Sequence, residues 1–181
     1  MSSSSRSASR RALLGLLAAL PLGLHAQAPT TPPELAGMAP RGQGRMRFVG
    51  LRVYDIKLWA PEPLGADWTK QSLALELVYA RSLKGALIAE RSLKEMRRQG
   101  DIPDAKAQAW LAAMTAAFPD VNEGDRLVGR YTPGEAARFW FNGQARPGQL
   151  DAEGSRWFFG IWLSPQTSEA GLRAQLLGGV G

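Results

Sequence analysis

The chain has 181 residues, no cysteine, one histidine and a formal net charge of +6. The lack of cysteine excludes thiolate nucleophiles and Cys/His zinc sites, and the one histidine, His25, lies in an N-terminal segment that we expect to be cleaved off. Its loss would also exclude a Ser-His-Asp triad. Any catalysis would then use Asp, Glu, Lys, Arg, Tyr, Ser or Thr, and we expect neither a metal site nor a cofactor.

The first 28 residues have the layout of a secretory signal peptide. Arg6, Arg10 and Arg11 precede an apolar run of 13 residues (12–24), and Ala26-Gln27-Ala28 offers a small-x-small cleavage site. The run is too short to span a bilayer comfortably. We therefore expect export to the periplasm or the cell exterior, by the general secretory or the twin-arginine route. A membrane anchor or an unstructured tail is the alternative.

Cleavage after Ala28 would leave one chain of ordinary domain size. It would contain 153 residues with 19 basic and 16 acidic side chains, a net charge of +3. The basic residues are scattered among acidic ones, so we expect no nucleic-acid binding, and no stable membrane span remains. We place an exposed leader, rich in Pro and Gly, at 29–43 and one folded domain at 44–181.

Residues 44–60, GRMRFVGLRVYDIKLWA, have the composition of a strand whose alternation changes phase twice. Apolar residues occupy even positions up to Phe48, odd positions from Val49 to Val53, and even positions again from Ile56. Side chains alternate between faces along a strand, so each change of phase needs a structural cause. Either two strands are joined at a kink, or both faces of one strand are covered.

The rest of the chain contains three further candidate strands and four candidate helices. The strands are expected at 71–82, 125–131 and 137–142, and the helices at 82–100, 102–120, 151–163 and 167–178. Ser82 and Thr167 are candidate N-caps. Asn142-Gly143 is the strongest short hairpin-turn signal of the chain. Strands grouped at two places with helices between them predict an α+β fold, in which an antiparallel sheet packs on helices.

Seven segments occur in unbroken order between residues 42 and 178: GQGR, RFVGLRVYDIKLW, LELVYARSLKG, KEMRRQG, FPDVNEGDRLVGRY, RFWFNG and IWLSPQTSEAGLRAQLLG. Together they resemble the bacterial branch of the chalcone isomerase-like proteins. The resemblance implies an open-faced β-sandwich, a large antiparallel sheet with helices on one face and a ligand cleft between them. On this basis we expect 44–60 to be a long strand in the middle of the sheet, kinked at Gly50, with one face on the cleft.

The resemblance also implies roles for individual residues. Arg45 matches the arginine of the family's GxGxR run, which stabilises an anionic oxygen in the enzymes and holds a carboxylate in the relatives that bind fatty acids. Val49 replaces a catalytic threonine, Ile88 a tyrosine, Glu95 an asparagine, and Gln175 a threonine or serine. Loss of the hydroxyl groups at 49 and 88 removes groups that would steady a developing enolate and makes the cleft more apolar. We therefore expect no chalcone cyclisation.

Further residues are candidates for lining the cleft. Tyr54 precedes Asp55 on the strand, and the two adjacent side chains are expected to point to opposite faces. Tyr79 and Arg81 follow on the second strand. The catalytic candidates, should the protein be an enzyme, are Arg45 and Glu95.

Three function classes remain open. The first is an exported binding protein for a small apolar or amphipathic anion, such as a fatty acid. The second is an isomerase or lyase of this family that acts on an unknown substrate. The third is an envelope accessory protein that binds another protein and no ligand, which a large exposed apolar patch would favour.

Overall fold

The computed structural model describes residues 31–178, so the expected signal peptide lies outside the described residues. Six strands and four helices follow in chain order: β1 (Ala39–Phe48), β2 (Leu51–Ala60), β3 (Leu73–Tyr79), α1 (Gly85–Met96), α2 (Asp104–Ala117), β4 (Arg126–Tyr131), β5 (Arg138–Phe141), β6 (Gln144–Ala145), α3 (Ala152–Leu163) and α4 (Ala170–Leu176). Within this part of the chain, none of the helices has both the length and the apolar character that crossing a membrane requires.

The six strands form one antiparallel sheet in which each strand pairs with the next one along the chain. The helices cover one face, and most of the buried apolar side chains lie between the helices and the sheet. This arrangement confirms the predicted α+β fold with an open antiparallel sheet. It leaves β1 and β6 as the two edges of the sheet.

The first change of phase in residues 44–60 is a tight hairpin turn. Val49 and Gly50 form the turn with φ values of 49° and 77°, and Phe48 pairs with Leu51 across it. Cross-strand partners share a face of the sheet, so the apolar positions change from even to odd numbers at this point. The prediction of one long strand in the middle of the sheet is therefore wrong. The segment forms two strands, and β1 is an edge strand.

The second change of phase is a β-bulge in β2. Arg47 pairs with Arg52, but Met46 pairs with Tyr54, so Val53 is an extra residue without its own partner in β1. An extra residue shifts the alternation of its strand by one position. The apolar side therefore returns to even numbers from Tyr54 onward.

The N-terminal part of the described chain covers the other face of the sheet. Leu35 and Met38 are buried there with Ala74 and Val128, and the buried Glu34 forms an ion pair with the partly buried Arg126. The prediction of an exposed leader at 29–43 is therefore wrong for the later part of this segment. A short 3-10 turn (Pro33–Leu35) packs on the sheet, and β1 begins at Ala39. The Pro and Gly content of this segment reflects the turn and a close helix contact rather than exposure.

Two helix starts differ from the sequence prediction. Helix α1 begins at Gly85, where Asp120 accepts a hydrogen bond from the Gly85 N–H (3.0 Å), while Ser82 donates to Asn122 (3.1 Å) instead of capping the helix. Helix α4 begins at Ala170 rather than Thr167. In both cases a turn precedes the helix and contributes residues to the cavity described below: Leu83 before α1, and Ser168 and Glu169 before α4.

Candidate functional site

A cavity of about 300 Å³ lies between the inner face of the sheet and the helices, at the low end of the size range of ligand pockets. Its lining comes from all strands except β6, from α1 and α3, and from the turns that join them. The lining residues are Met46, Phe48, Val53, Tyr54, Leu75, Leu77, Tyr79, Arg81, Leu83, Leu87, Ile88, Arg91, Ser92, Glu95, Phe118, Leu127, Gly129, Phe139, Phe158, Ile161, Trp162, Ser168 and Glu169.

The bottom of the cavity is apolar. Leu75, Phe118, Leu127, Phe139 and Phe158 line it and are almost completely buried. They reach it because alternate residues of β3, β4 and β5 face the helices, while Phe118 directly follows α2. No charged side chain contributes to this part of the lining, so it suits a hydrocarbon chain.

The opening of the cavity combines exposed apolar and cationic side chains. Phe48 of β1 and Leu87 of α1 line it and are 55% and 59% exposed. Arg91 lies one helical turn after Leu87, with its guanidinium carbon 5.6 Å from the centre of the Phe48 ring. Arg81 also lines the opening, and no ion pair of its side chain is found within residues 31–178. The arginines therefore mark the end of the cavity where an anionic group can bind.

Two tyrosine side chains, the partly buried Tyr54 and the buried Tyr79, line the cavity. The Tyr54 hydroxyl accepts a hydrogen bond from Nε1 of Trp162 (3.0 Å), whereas no partner for the Tyr79 hydroxyl is found in the described part of the chain. The two rings meet edge to face, with centroids 5.9 Å apart. Burial raises the pKa of both Tyr54 and Tyr79 well above the usual tyrosine value, so both hydroxyls stay protonated and can donate.

Glu95 lines the cavity but is already engaged. Its carboxylate pairs with Arg91 (2.7 Å), lies 3.7 Å from Arg98 and accepts a hydrogen bond from Ser168 (2.7 Å). A general base needs a carboxylate that is free to reach the substrate proton. Glu95 in this arrangement instead holds Arg91 in place beside the opening.

The structure brings five of the eight residues predicted from the sequence together and leaves three outside. The five residues that line the cavity are Tyr54, Tyr79, Arg81, Ile88 and Glu95. Arg45, Val49 and Gln175 do not line it.

Arg45 lies on the opposite face of the sheet from the cavity, so its expected place in the cleft is wrong. Its Nε donates to Asp55 of β2 (2.8 Å), which also pairs with Arg52. The hydrogen bond from Arg45 holds the pKa of Asp55 below its usual range, and Arg52 adds to the effect. Tyr54 and Asp55 do point to opposite faces, as predicted from the alternation.

A one-residue offset explains the error over Arg45. Counted strictly from Gly42, the run GxGxR places its arginine at position 46, and this chain has Met46 there. Neighbouring strand residues face opposite sides, so Met46 lines the cavity and Arg45 does not. The position that carries the arginine in the GxGxR pattern is therefore occupied by a methionine in this protein.

Val49 and Gln175 also differ from their expected positions. Val49 forms the hairpin turn and is 84% exposed, because the turn removes it from the strand in which a cleft position was expected. Gln175 lies on α4 and packs near Gly44 of β1, outside the cavity lining. The lack of a hydroxyl group at Val49 therefore does not affect the polarity of the cavity, whereas Ile88 does line the cavity.

Several cavity residues, including Arg91, Ser168 and Glu169, were not predicted from the sequence. Arg91 carried a readable signal, because it follows Leu87 and Ile88 by four and three positions on α1 and so shares their face. Ser168 and Glu169 lie in the turn before α4 and had no periodic signal. Only the fold brings that turn to the cavity.

A family model described as chalcone isomerase-like matches residues 34–178. The chain belongs to the chalcone isomerase-like family. The crystal structure of a fatty-acid binding protein from Arabidopsis thaliana matches with a TM-score of 0.60 and 12% identity, over 78% of this chain and 87% of that one. At this identity the likeness shows the fold.

A relative in Haemophilus influenzae (strain ATCC 51907 / DSM 11121 / KW20 / Rd), described as an uncharacterized protein, is 29% identical over 139 residues. The match covers 77% of this chain and 67% of the relative.

Proposed function

We propose that this chalcone isomerase-like protein binds a fatty-acid-like or other small amphipathic anion, with its apolar chain in the cavity, and that it does not cyclise chalcones. The observation that carries the proposal is the division of the cavity into an apolar bottom and an opening with Arg81 and Arg91. Burial of each methylene group contributes about 0.8 kcal/mol, so the bottom favours a hydrocarbon chain. The anionic head then lies at the arginines.

The orientation of the ligand follows from the position of the charges. With Met46 at the wall and Arg45 on the other face, the cavity interior offers no cation to a carboxylate. A buried carboxylate without a partner is strongly unfavourable. Arg81 and Arg91 are exposed and can hold the head group while the chain extends inward.

Two further observations support the proposal. The Arabidopsis thaliana protein with the same fold is described as fatty-acid binding, which agrees with an acyl ligand here. The charged, apolar and small-residue segments of residues 1–28 support action after export to the periplasm or the cell exterior. The source of the ligand would then be the cell envelope or the medium.

Native mass spectrometry of the purified protein, followed by titration with dodecanoate, tests the proposal. Arg81→Ala and Arg91→Ala are each expected to weaken dodecanoate binding by about tenfold, as loss of a charge-assisted hydrogen bond would. Binding of dodecanol, which lacks the charge, should change little. Arg138→Ala is the matched control, because Arg138 is exposed on β5 and lies outside the cavity lining. Failure of the wild type to bind any acyl chain would refute the proposal.

The second candidate function is an isomerase or lyase that acts on an unknown substrate. The Tyr79 hydroxyl favours it, because a donor that lines the cavity and has no partner among the described residues can stabilise a developing oxyanion. Substrate turnover that disappears in Tyr79→Phe while acyl-chain binding persists would establish this alternative. Chalcone is the first substrate to test, and we expect no flavanone above background.

A further inference from the structure

Four large apolar side chains within residues 31–178 are more than half exposed: Phe48, Val49 and Leu51 in the β1–β2 hairpin, and Leu87 on α1 at the cavity opening. We call this group the apolar rim. Phe48 pairs with Leu51 across the hairpin, Val49 is at its tip, and Phe48 and Leu87 both line the opening. Exposed apolar side chains that cluster in this way indicate an interaction surface.

Val49 occupies a position that its side chain disfavours. Its φ of 49° lies in the left-handed region, where a β-branched residue is an outlier. The chain has a second turn of the same kind at Asn142-Gly143, with φ values of 48° and 83°, and there it uses the favoured Asn. Backbone strain retained at an exposed apolar residue points to a function for that side chain.

Cationic side chains surround the apolar rim. Arg47 and Arg52 flank the tip of the hairpin and are exposed, and Arg81 lies at the cavity opening together with Arg91, which pairs with Glu95. The one acidic residue of segment 44–56, Asp55, is already paired with Arg45 and Arg52. With three arginines and one aspartate, this segment has a net charge of +2. An apolar tip bordered by arginines complements a surface that is apolar below and anionic above.

We propose that the apolar rim docks onto an anionic lipid bilayer, with Val49 and Leu51 inserted among the acyl chains and Arg47 and Arg52 at the phosphate groups. This combination of inserted apolar side chains and interfacial cations is how peripheral proteins hold a bilayer. Docking would place the cavity opening against the membrane. A ligand could then pass between bilayer and cavity without crossing water, a consequence that rests on the proposed acyl-chain binding.

The test uses the full chain with a single cysteine as a fluorophore site, because the natural sequence has none. Val49→Cys carries the probe at the hairpin tip, and Glu135→Cys carries it in the exposed loop between β4 and β5, at the other end of the sheet. Vesicles contain either equal parts of phosphatidylglycerol and phosphatidylcholine or phosphatidylcholine alone. We expect a blue shift only at position 49 and only with phosphatidylglycerol, reversed by high salt.

Vesicle sedimentation of unlabelled variants tests the same surface through residues outside the cavity lining. Arg47→Gln and Arg52→Gln should each lower binding to phosphatidylglycerol vesicles by about fivefold. Val49→Ser combined with Leu51→Ser should lower it further. Any membrane affinity of residues 1–30 is common to all variants and cancels in the comparison. Dodecanoate binding from solution should stay unchanged in these variants, which separates this proposal from the binding function.

The proposal is overturned if position 49 shows no shift, or if both labelled positions shift equally. It is also overturned if the rim variants bind vesicles like the wild type. Loss of self-association or of a protein partner in the rim variants, with vesicle binding unchanged, would assign the rim to a protein contact instead.

Discussion

Val49 and Asn142 allow the same turn to be compared with two different residues in one protein. Both precede a glycine with positive φ, and their own φ values differ by one degree, 49° against 48°. Asn tolerates this conformation, whereas a β-branched residue is strained there by about 1–3 kcal/mol. Val49 therefore lowers the stability of the hairpin in exchange for an exposed apolar side chain.

Val49→Asn should raise the free energy of unfolding by about 1 kcal/mol, because Asn-Gly is the favoured pair for this turn. Urea denaturation monitored by tryptophan fluorescence measures the change. Asn142→Val is the reciprocal variant and should be destabilising, since it also removes the hydrogen bonds of Asn142 to Arg126 and Asp125. A Val49→Asn protein that is less stable than the wild type would show that the turn is not strained.

Arg45 and Met46 show how a single position decides the role of a strand residue. Arg45→Ala should leave dodecanoate affinity within about twofold of the wild type, because its partner is Asp55 on the outer face. Met46→Ala should weaken binding by about fivefold, since it removes part of the apolar wall. Isothermal titration of the two variants decides between them. A reversed order would restore Arg45 as the ligand residue.

At the scale of elements, the packing of α4 on β1 explains the glycines at the start of the domain. A Cβ atom at Gly42 would lie 1.9 Å from the backbone oxygen of Leu176, and one at Gly44 would lie 2.3 Å from the side chain of Leu172. Glycine is needed at these positions because there is no space for a side chain, and not because of an unusual φ value. The two glycines therefore permit the close contact of helix and edge strand.

Gly42→Ala should lower the free energy of unfolding by about 1–3 kcal/mol, because backbone atoms of α4 would have to move. Gly171→Ala is the matched control: Gly171 lies in α4 with open space where its Cβ would be, so the change should stabilise by up to about 1 kcal/mol. Thermal unfolding of both variants measures the difference. Equal effects of the two changes would contradict the close packing of α4 on β1.

Elements with a strong local sequence pattern were predictable. The missed features were a turn without the usual turn residues and a bulge that depends on pairing with another strand. The alternation of 71–82 and the Asn142-Gly143 turn correctly predict β3 and the β5–β6 hairpin. The Val49-Gly50 turn was missed because valine gives no turn signal. The bulge at Val53 was missed because it depends on pairing with β1, which the sequence of one strand does not reveal.

At the scale of the whole molecule, the outer face of the sheet could not be predicted because it is made by side chains far apart in the chain. Arg126 of β4 pairs with Glu34 and with Glu76 of β3, and Glu76 also accepts a hydrogen bond from Trp59 (3.0 Å). This partly buried network holds the N-terminal segment on the sheet. Local composition indicated only an exposed leader, since Pro and Gly are as common in turns as in exposed segments.

The cavity likewise depends on the whole fold, and its two tyrosines make the stability of the fold depend on pH. Tyr79 is buried and Tyr54 partly buried between sheet and helices, and removal from water raises the pKa of each above the value of about 10 that tyrosine has in an unfolded chain. The folded state therefore keeps its protons at a pH where the unfolded state loses them. Stability from these groups is fully present below pH of about 10 and decreases as the pH rises above it.

The free energy of unfolding of the wild type should therefore fall steeply above pH of about 10, with each of the two tyrosines contributing up to about 1.4 kcal/mol per pH unit. Tyr79→Phe should give a shallower fall, because it removes one of the two groups while costing no hydrogen bond found in the described chain. Urea denaturation at a series of pH values from 8 to 11 measures both curves. If the two curves stay parallel, the Tyr79 hydroxyl is solvated and the cavity is open to water at this point.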